Sequence, residues 1–574
     1  MTNEDSITVE ADSTDRQHPG LHSLREIVGE DLLAFMLAMN PADLRDEDLV
    51  LDEARTAVSE AIWLKAAKST EQIKGSWRRH PWKALKKEAL IEVFCKYDVT
   101  LGSSVASDFH VRSGGTRPVV DEPSSLEGCL QIIAVDCFAA RLIGTGQTHH
   151  TPGVANKHPL MPTVHQHLRD ASEPLTQLFR AAFAATDASD RPGVTESTYT
   201  KQMLVDWSTG GGGSLEMRDI GTHIVCSLFL EEDLDDQVLV RVAEAVRDSL
   251  DRSRRLAAGD TVLVKTLVGL GDVGLARGVA PVEIAGGRIR RPTVLDQRAN
   301  PFAAEPHLIL ELDRPVRYNE IRLSPPPVSD VHEQLSQFVA DSERRKKFVP
   351  ALVSSAEELA ETIRRVRFAM LLASPEEKVL RPVWRFSQEV NPLTSSGSNS
   401  HQPNPSPGVV HTELPPAVDA AAAAEIAGWA TRMAELPDSL KVGRRRLLQA
   451  TTERADSVDS FIDAVVAWES MFGTKVETAF RVTGSMALLL EPTDVAARKS
   501  LHKRLSDLYS YRSDLVHGTV GHDLETKQFK LADVPEHSRD AVRYAIDCFK
   551  RVLSDSNLKP LDSAARSKRI MLGI

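Results

Sequence analysis

Hydrophobic spacing divides the chain into two regimes. From residue 417 onward apolar side chains recur at three- and four-residue steps, which predicts helices near 418–435, 441–451, 457–472, 475–490, 494–516 and 538–554, broken only by a turn-rich stretch at 518–534. Helices of that length on short connections pack as antiparallel neighbours. Residues 417–560 are therefore expected to form an all-α bundle of four to six members, followed by a basic tail at 561–574.

Upstream the signals are mixed. Helical periodicity covers 26–68 and 82–96, strand-like runs follow at 261–268 (TVLVKTLV) and 307–312, and helical spacing returns at 330–343 and 356–372. Residues 21–390 thus read as an α+β region, with the glycine run at 210–213 as a candidate division into two subdomains. Between the regimes lies 391–416, NPLTSSGSNSHQPNPSPGVVHTELPP, too poor in apolar residues to offset its ordering entropy; it reads as a linker. Residues 1–20 are polar and acidic and are expected to be disordered. The predicted fold class is multi-domain, an α+β N-terminal region followed by an all-α bundle.

At 574 residues the chain exceeds what one core organises. Its net charge of −12 argues against a protein that coats nucleic acid through bulk positive charge. Division at Pro416 changes the picture. From Ala417 onward 23 Lys+Arg face 22 Asp+Glu, a net +1, which leaves 46 against 59, a net −13, upstream. The acidity belongs to the N-terminal part, and the bundle is free to carry a local basic site. Cys95, Cys129, Cys137, Cys226 and Cys548 are widely spaced and contain no C-x-x-C pair, so neither a disulfide framework nor a zinc ribbon is suggested. With no signal-peptide pattern and no apolar run of membrane-spanning length, a cytoplasmic protein without a membrane partner is the expectation.

Two bundle helices carry a charge where the apolar stripe wants a core side chain. Along 494–516, Leu501, Leu505, Leu508 and Leu515 step by four, three and seven, which leaves the vacant slot at Arg512. Along 457–472, Val458, Ile462, Val465 and Phe472 leave it at Glu469. A core-facing guanidinium requires an anionic partner. That partner is either Glu469, in a buried ion pair, or a phosphate that Arg512 grips in bidentate fashion within a polar pocket. His517 follows Arg512 by five residues, about 140° around an ideal helix, so the two share a site only if His517 lies at the fraying helix end or if two chains build the site. Pro492 and Thr493 at one end and Gly518 at the other mark the helix limits.

The segment YSYRSDLVHG, residues 509–518, carries the R-x4-H motif of the HEPN superfamily. With the upstream Trp468-Glu469 helix and the segment KVETAFRVTGSMALLL, it resembles the ApeA-like HEPN group over residues 456–554. The resemblance implies a helical bundle that forms a homodimer, in which the Arg and His of both chains line one cleft that cleaves RNA without a metal or other cofactor. Carried onto this chain, it implies that Arg512 stabilises the scissile phosphate and that His517 acts as acid and base in attack by the ribose 2′-hydroxyl, with Glu469, Ser513 and Asp514 in support. Ser513 departs from the Asn, Asp or His that often follows the Arg in active members. The resemblance also implies a prokaryotic role in anti-phage defence or as a toxin, in which 21–390 answers to a trigger or partner that the sequence does not name. The alternative is a non-catalytic HEPN bundle that dimerises or binds a nucleotide, while the N-terminal region makes the specific interaction.

Three other patterns fail on context. Arg218 to His223 is also R-x4-H, but it follows the glycine run, contains Gly221 and leads into the β-favouring run 224–230, so no continuous helix is expected to present it. Gly269 to Gly274 spells G-x-G-x-x-G after a strand-like run, yet Gly278 and Pro281 forbid the long helix that a dinucleotide site needs, so a turn between strands is expected. His149, His150, His158, His165 and His167 bunch without a regular ligand spacing. Basic runs at 344–347 and 444–446 read as solvated helix faces, the second of them placed to guide an RNA backbone.

Overall fold

The computed structural model describes residues 21–46, 48–74, 88–143, 150–170, 172–178, 203–209, 212–231, 233–299, 306–323, 330–376, 378–394, 400–401, 416–474, 476–517 and 531–573. The expected disorder at 1–20, Gly210 and Gly211 of the glycine run, and most of the expected linker lie outside these residues. The fold is mixed α+β with a helical C-terminal half. No helix among the described residues is long and apolar enough to cross a membrane.

The N-terminal part holds α1 (Leu21–Val28), α2 (Glu30–Met36), α3 (Glu53–Lys74), α4 (Val105–Arg112), α5 (Leu126–Cys137), α6 (His150–Ala155), α7 (Met161–His167), α8 (Ile220–Cys226) and α9 (Val238–Ala257). The periodicity at 26–68 is thus three helices, not one. Gly29, at φ 90°, makes the first break, a conformation that costs glycine little. Of the helix expected at 82–96, the described part is 88–96, α-helical at 88–90 and π-helical at Ile91–Cys95. A short antiparallel pair, β1 (Tyr97–Asp98) and β2 (Ser103–Ser104), leads into α4, and side-chain hydroxyls of Ser104 and Ser125 cap α4 and α5 by accepting from the amides of Ser107 and Gly128. The helices bury Leu32, Phe35, Phe138 and Val246 in a first core, closed by Met203, Val205 and Trp207 of β3 (Met203–Trp207), the middle strand of a sheet with β4 (Gly212–Leu215) and a later strand, Tyr318–Leu323. The run 224–230 is not a strand: Ile220, Ile224 and Val225 point into this core from a helix, because burial outweighs the modest helix penalty of β-branched residues.

A six-stranded antiparallel sheet follows, centred on β5 (Val262–Gly271) paired with β9 (Leu308–Val316) from Val262 opposite Val316 to Leu270 opposite Leu308, with β8 (Gly287–Arg290) and β7 (Val282–Ile284) beyond β9. The G-x-G-x-x-G segment spans the end of β5, a turn at Asp272 (φ 62°) and Val273, and the start of β6 (Gly274–Leu275), with no helix after it. Helix α12 (Val349–Leu372), preceded by α10 (Val294–Ala299) and α11 (Val331–Lys346), shares a core with Val268, Leu270 and Leu310 of this sheet.

Helices α13 (Ala420–Met433), α14 (Asp438–Thr452), α15 (Ser457–Phe472), α16 (Thr478–Leu490), α17 (Val495–Val516), α18 (Val534–Ser554) and α19 (Ser563–Leu572) complete the chain. They build a second core, in which Trp468, Phe461, Tyr511 and Phe549 meet Ile363, Phe368 and Met370 of α12 and Val268, Leu270 and Leu310 of the sheet. Packing therefore continues across the expected linker: α12 lies upstream of it and belongs to the bundle, and Ala417 and Val418 pair in parallel with β6. The bundle has more members than the four to six expected, since α12 and α19 join it. Contact is tight where α14 crosses α15 and α18, because a Cβ at Gly443 would stand 2.3 Å from the Ser470 hydroxyl and 2.9 Å from the Phe549 ring.

The expected basic tail is helix α19, capped by Asp562 and held by Arg566, which is fully buried. Its guanidinium donates to the carbonyls of Met471 (2.7 Å), Leu558 (3.1 Å) and Leu561 and to the Ser439 hydroxyl, stitching the end of the chain to α14 and α15. Removing it strands those carbonyls and leaves a cavity, so Arg566→Ala should lower unfolding free energy by about 3 kcal/mol, read from urea denaturation. A change below about 0.5 kcal/mol would show that α19 is dispensable.

Candidate functional site

The proposed site residues sit on α15 and α17. Helix α15 is fixed by Trp468, which is fully buried and donates its indole N–H to the Ala541 carbonyl of α18 at 3.1 Å. The next residue, Glu469, consequently emerges at the edge of the core. Helix α17 is capped by Asp494, whose carboxylate accepts from the amides of Ala496 and Ala497, and is seated by Leu505, Leu508 and Tyr511. Tyr511, 1% exposed, packs edge-on against His537 at 5.4 Å and near Phe461 at 5.8 Å.

This seating corrects the expected stripe. The core slot after Leu508 is filled by Tyr511, three residues on, and Arg512 is turned to the rim with its side chain 23% exposed. Glu469, at 25%, faces it, with Nη2 to Oε2 at 3.6 Å. The two meet, as the ion-pair reading requires, but the pair is half-buried rather than core. The Nε of Arg512 is shielded from solvent with no hydrogen-bond partner, so the guanidinium keeps donor capacity for a further anion.

Tyr509 is the member the spacing did not single out. It donates its hydroxyl to Glu469 Oε1 at 2.6 Å, so one carboxylate joins the phenol on one oxygen and the arginine on the other. Burial, and then the Glu469 carboxylate, push the Tyr509 phenol above its usual range and keep it a donor. A residue three before an arginine on one helix is the only signal that could have found it.

His517 is the C-cap of α17, with φ −86° and ψ 2°, its amide donating to the Ser513 carbonyl at 3.0 Å and its residue exposed. It stands at the end of the helix, one of the two placements that the five-residue spacing allows. Ser513 and Asp514 lie half-buried on the last turn. Gly518, expected to close the helix, lies outside the described residues. On the opposite flank of α17, Arg504 pairs with Asp540 at 2.6 Å and stands 3.1 Å from His537 Nδ1; burial first, then Arg504, lowers the affinity of His537 for a proton.

The basic run at 444–446 is not a solvated face. Arg444, 2% exposed, makes a bidentate pair with Glu361 of α12 at 2.6 and 2.8 Å, and Arg446 joins Arg454 on the buried Asp463. Two of its three arginines are thereby committed to the scaffold. The histidines at 149–167 do not converge: His158 meets Asp136 at 3.4 Å, His165 the Arg218 carbonyl at 3.0 Å and His167 the Ser124 carbonyl at 2.7 Å, while His149 lies outside the described residues. The five free thiols are mostly buried, and burial raises Cys226 to about 12 and suppresses its reactivity.

The second R-x4-H copy is split. Arg218 precedes α8 and pairs with Glu216 at 2.6 Å, whereas His223 lies within α8, where burial pushes its imidazole down to about 4. The unfolded chain takes up that proton near pH 6.5, so the folded state loses stability as pH falls from about 6.5 to about 4. His223→Gln should flatten that part of the acid limb by about 2 kcal/mol in pH-dependent urea melts, with no change above pH 7.

Compared with protein-family models, with characterised proteins and with solved structures, the chain matches none.

Proposed function

We propose that the chain is a metal-independent endoribonuclease of the HEPN type that acts as a homodimer through its C-terminal bundle and is regulated by the N-terminal region. The observation that carries this reading is the presence on α17 of an arginine at its rim, with an unsatisfied Nε, and of an exposed histidine at the cap of the same helix. Those two groups suit the two demands of transesterification on RNA, charge stabilisation on the phosphoryl oxygens and a proton shuttle near neutral pH, while the substrate supplies its own 2′-hydroxyl. In this reading Arg512 meets the phosphate, His517 moves the proton, and Tyr509 anchors Glu469, which positions Arg512. Ser513 and Asp514 line the last turn beside them. Dimerisation would bring a second Arg512 and His517 to the same cleft. A role in prokaryotic anti-phage defence or as a toxin fits a nuclease whose large companion region answers to a trigger.

One observation favours a second reading. Because Glu469 already faces Arg512, the bundle could serve as a non-catalytic dimerisation or nucleotide-binding module with the specific contacts made by the N-terminal region.

Incubation of the full-length protein with structured and single-stranded RNAs in EDTA should yield fragments ending in 2′,3′-cyclic phosphate. His517→Ala and Arg512→Ala should each lower the rate about 10²- to 10⁴-fold, with unchanged thermal melts. Cleavage that His517→Ala leaves intact, or that requires a divalent metal, rules the proposal out; nucleotide binding without cleavage selects the second reading.

A further inference from the structure

Between the first core and the six-stranded sheet lies a cavity of about 60 Å³ that five separate stretches of chain close. Arg141 enters it from the 3-10 turn Phe138–Leu142 after α5, Leu228 from the loop after α8, Leu267 from β5, Leu295 and Asp296 from α10, and Gln388 from Val383–Glu389, the strand that pairs with β5. Arg141 brings a charge that its surroundings do not answer. Its Nη2 donates to the Leu228 carbonyl at 3.0 Å, while Nη1 is shielded from solvent and has no hydrogen-bond partner among the described residues. Asp296 does not serve as one, because its two oxygens accept from Arg290 at 2.6 and 3.1 Å and one of them also accepts from the Thr293 hydroxyl. Burial lowers the proton affinity of Arg141 and is only partly offset by Asp296. A desolvated cation without a partner is costly, so an anion that enters the cavity is favoured.

Gln388 supplies the complementary group. Its Oε1 is likewise shielded and without a hydrogen-bond partner among the described residues. One orphaned donor and one orphaned acceptor in the same cavity specify a ligand with an acceptor and a donor of its own. The acceptor is anionic, because it answers a guanidinium. It carries a single charge, since Asp296 and Glu389 also line the cavity and repel a dianion such as phosphate. Leu228, Leu267 and Leu295 leave an apolar wall for a short hydrocarbon body, and the small volume keeps donor and acceptor on neighbouring carbons. A wider groove of about 230 Å³ adjoins the cavity, sharing Ser227, Phe229, Leu230 and Val390 with it, and gives a larger side group room to extend.

We propose that this cavity binds a small carboxylate that bears a hydroxyl or ammonium group on the adjacent carbon, with the carboxylate on Arg141 and the donor on Gln388. Asn391 and Thr394, 2% and 7% exposed, belong to the lining and open the Pro- and Ser-rich stretch at 391–416. An occupant therefore ties the exit from the sheet to α8 and α10. In the nuclease reading such a site seats the trigger, but binding itself does not depend on that reading.

Isothermal titration of the full-length protein with L-lactate, L-alanine and propionate separates the requirements, because propionate keeps the carboxylate and the apolar body and lacks the donor. L-Lactate or L-alanine should bind saturably, about one per chain, and about tenfold or more tightly than propionate, with no displacement by inorganic phosphate. Whichever of the two binds more tightly identifies the donor as hydroxyl or ammonium. Gln388→Leu, which keeps the side-chain bulk and removes the acceptor, should reduce the preferred ligand to the level of propionate. Arg141→Gln should weaken all three about tenfold or more. Arg141 also holds Leu228, so a thermal melt checks the fold of that variant, and Gln388→Leu carries the test where the melt falls. Saturable heat from none of the three, which leaves the two groups to ordered water only, propionate binding as tightly as the others, displacement by phosphate, or binding indifferent to Gln388→Leu would each overturn the proposal. None of these readouts involves RNA cleavage, so they stand apart from the outcome of the nuclease test.

Discussion

The antiparallel pairing of β5 with β9 is the interaction on which the two halves of the molecule depend. Val262 and Val264 at one end of β5 lie in the first core, and Val268 and Leu270 at the other end lie in the second. Strand β9 repeats the division in reverse, with Val316 in the first core and Leu308, Leu310 and Leu312 in the second. A ladder whose side chains wall two cores cannot slip by one residue without turning every one of them to the wrong face, so its register fixes both halves at once. Buried charge reinforces it. Glu311 of β9, though burial alone would raise its proton affinity, is held below the usual carboxylate range by Lys265 of β5 and by Arg290, which is itself clamped by Asp296 of α10.

That arrangement changes the meaning of the Pro- and Ser-rich stretch at 391–416. Composition separates two segments of sequence there, but the hydrophobic core does not divide. Helix α12 runs in from upstream and anchors the bundle through Arg367, which donates to the Pro382 carbonyl at 2.8 Å and to the Thr452 hydroxyl at 2.5 Å. Glu361 of the same helix takes both nitrogens of Arg444. The bundle is thus supported by charged residues on each side of the stretch, which periodicity cannot connect because each looks like a solvated position on its own helix.

The same limit sorts what the sequence made legible. Helices α14 to α18 were readable because each shows an apolar face at helical spacing, although the cap of α17 is Asp494, one residue beyond the expected Thr493. Helix α19 was not, because its buried positions are Arg566 and Ser567, and its attachment runs through hydrogen bonds to carbonyls instead of apolar contact. Helix α8 was misread as strand because Ile224 and Val225 are β-favouring, while the burial that overrides them comes from elements far away in the chain. At the candidate site, the pairing of Glu469 with Arg512 followed from spacing, but the depth of Arg512 did not. A heptad count places the core slot at Arg512, whereas a straight helix drifts against that count and brings Tyr511 inward instead.

That one-residue difference bears on the proposed chemistry. A fully buried pair of Arg512 and Glu469 would resist separation, since removing either partner strands a charge at a cost of about 3–5 kcal/mol. The pair as it stands spans 3.6 Å with each side chain about a quarter exposed, beyond good hydrogen-bond length, and such pairs contribute on the order of 1 kcal/mol or less. A phosphate oxygen offering charge-assisted, bidentate hydrogen bonds competes favourably with that contact. Tyr509 keeps its hydrogen bond to Glu469 when Arg512 turns away, so the carboxylate is not left unpaired. In the proposed reaction, therefore, Glu469 and Tyr509 hold the arginine in place in the absence of RNA and release it cheaply on binding, a behaviour that a core-facing Arg512 could not have.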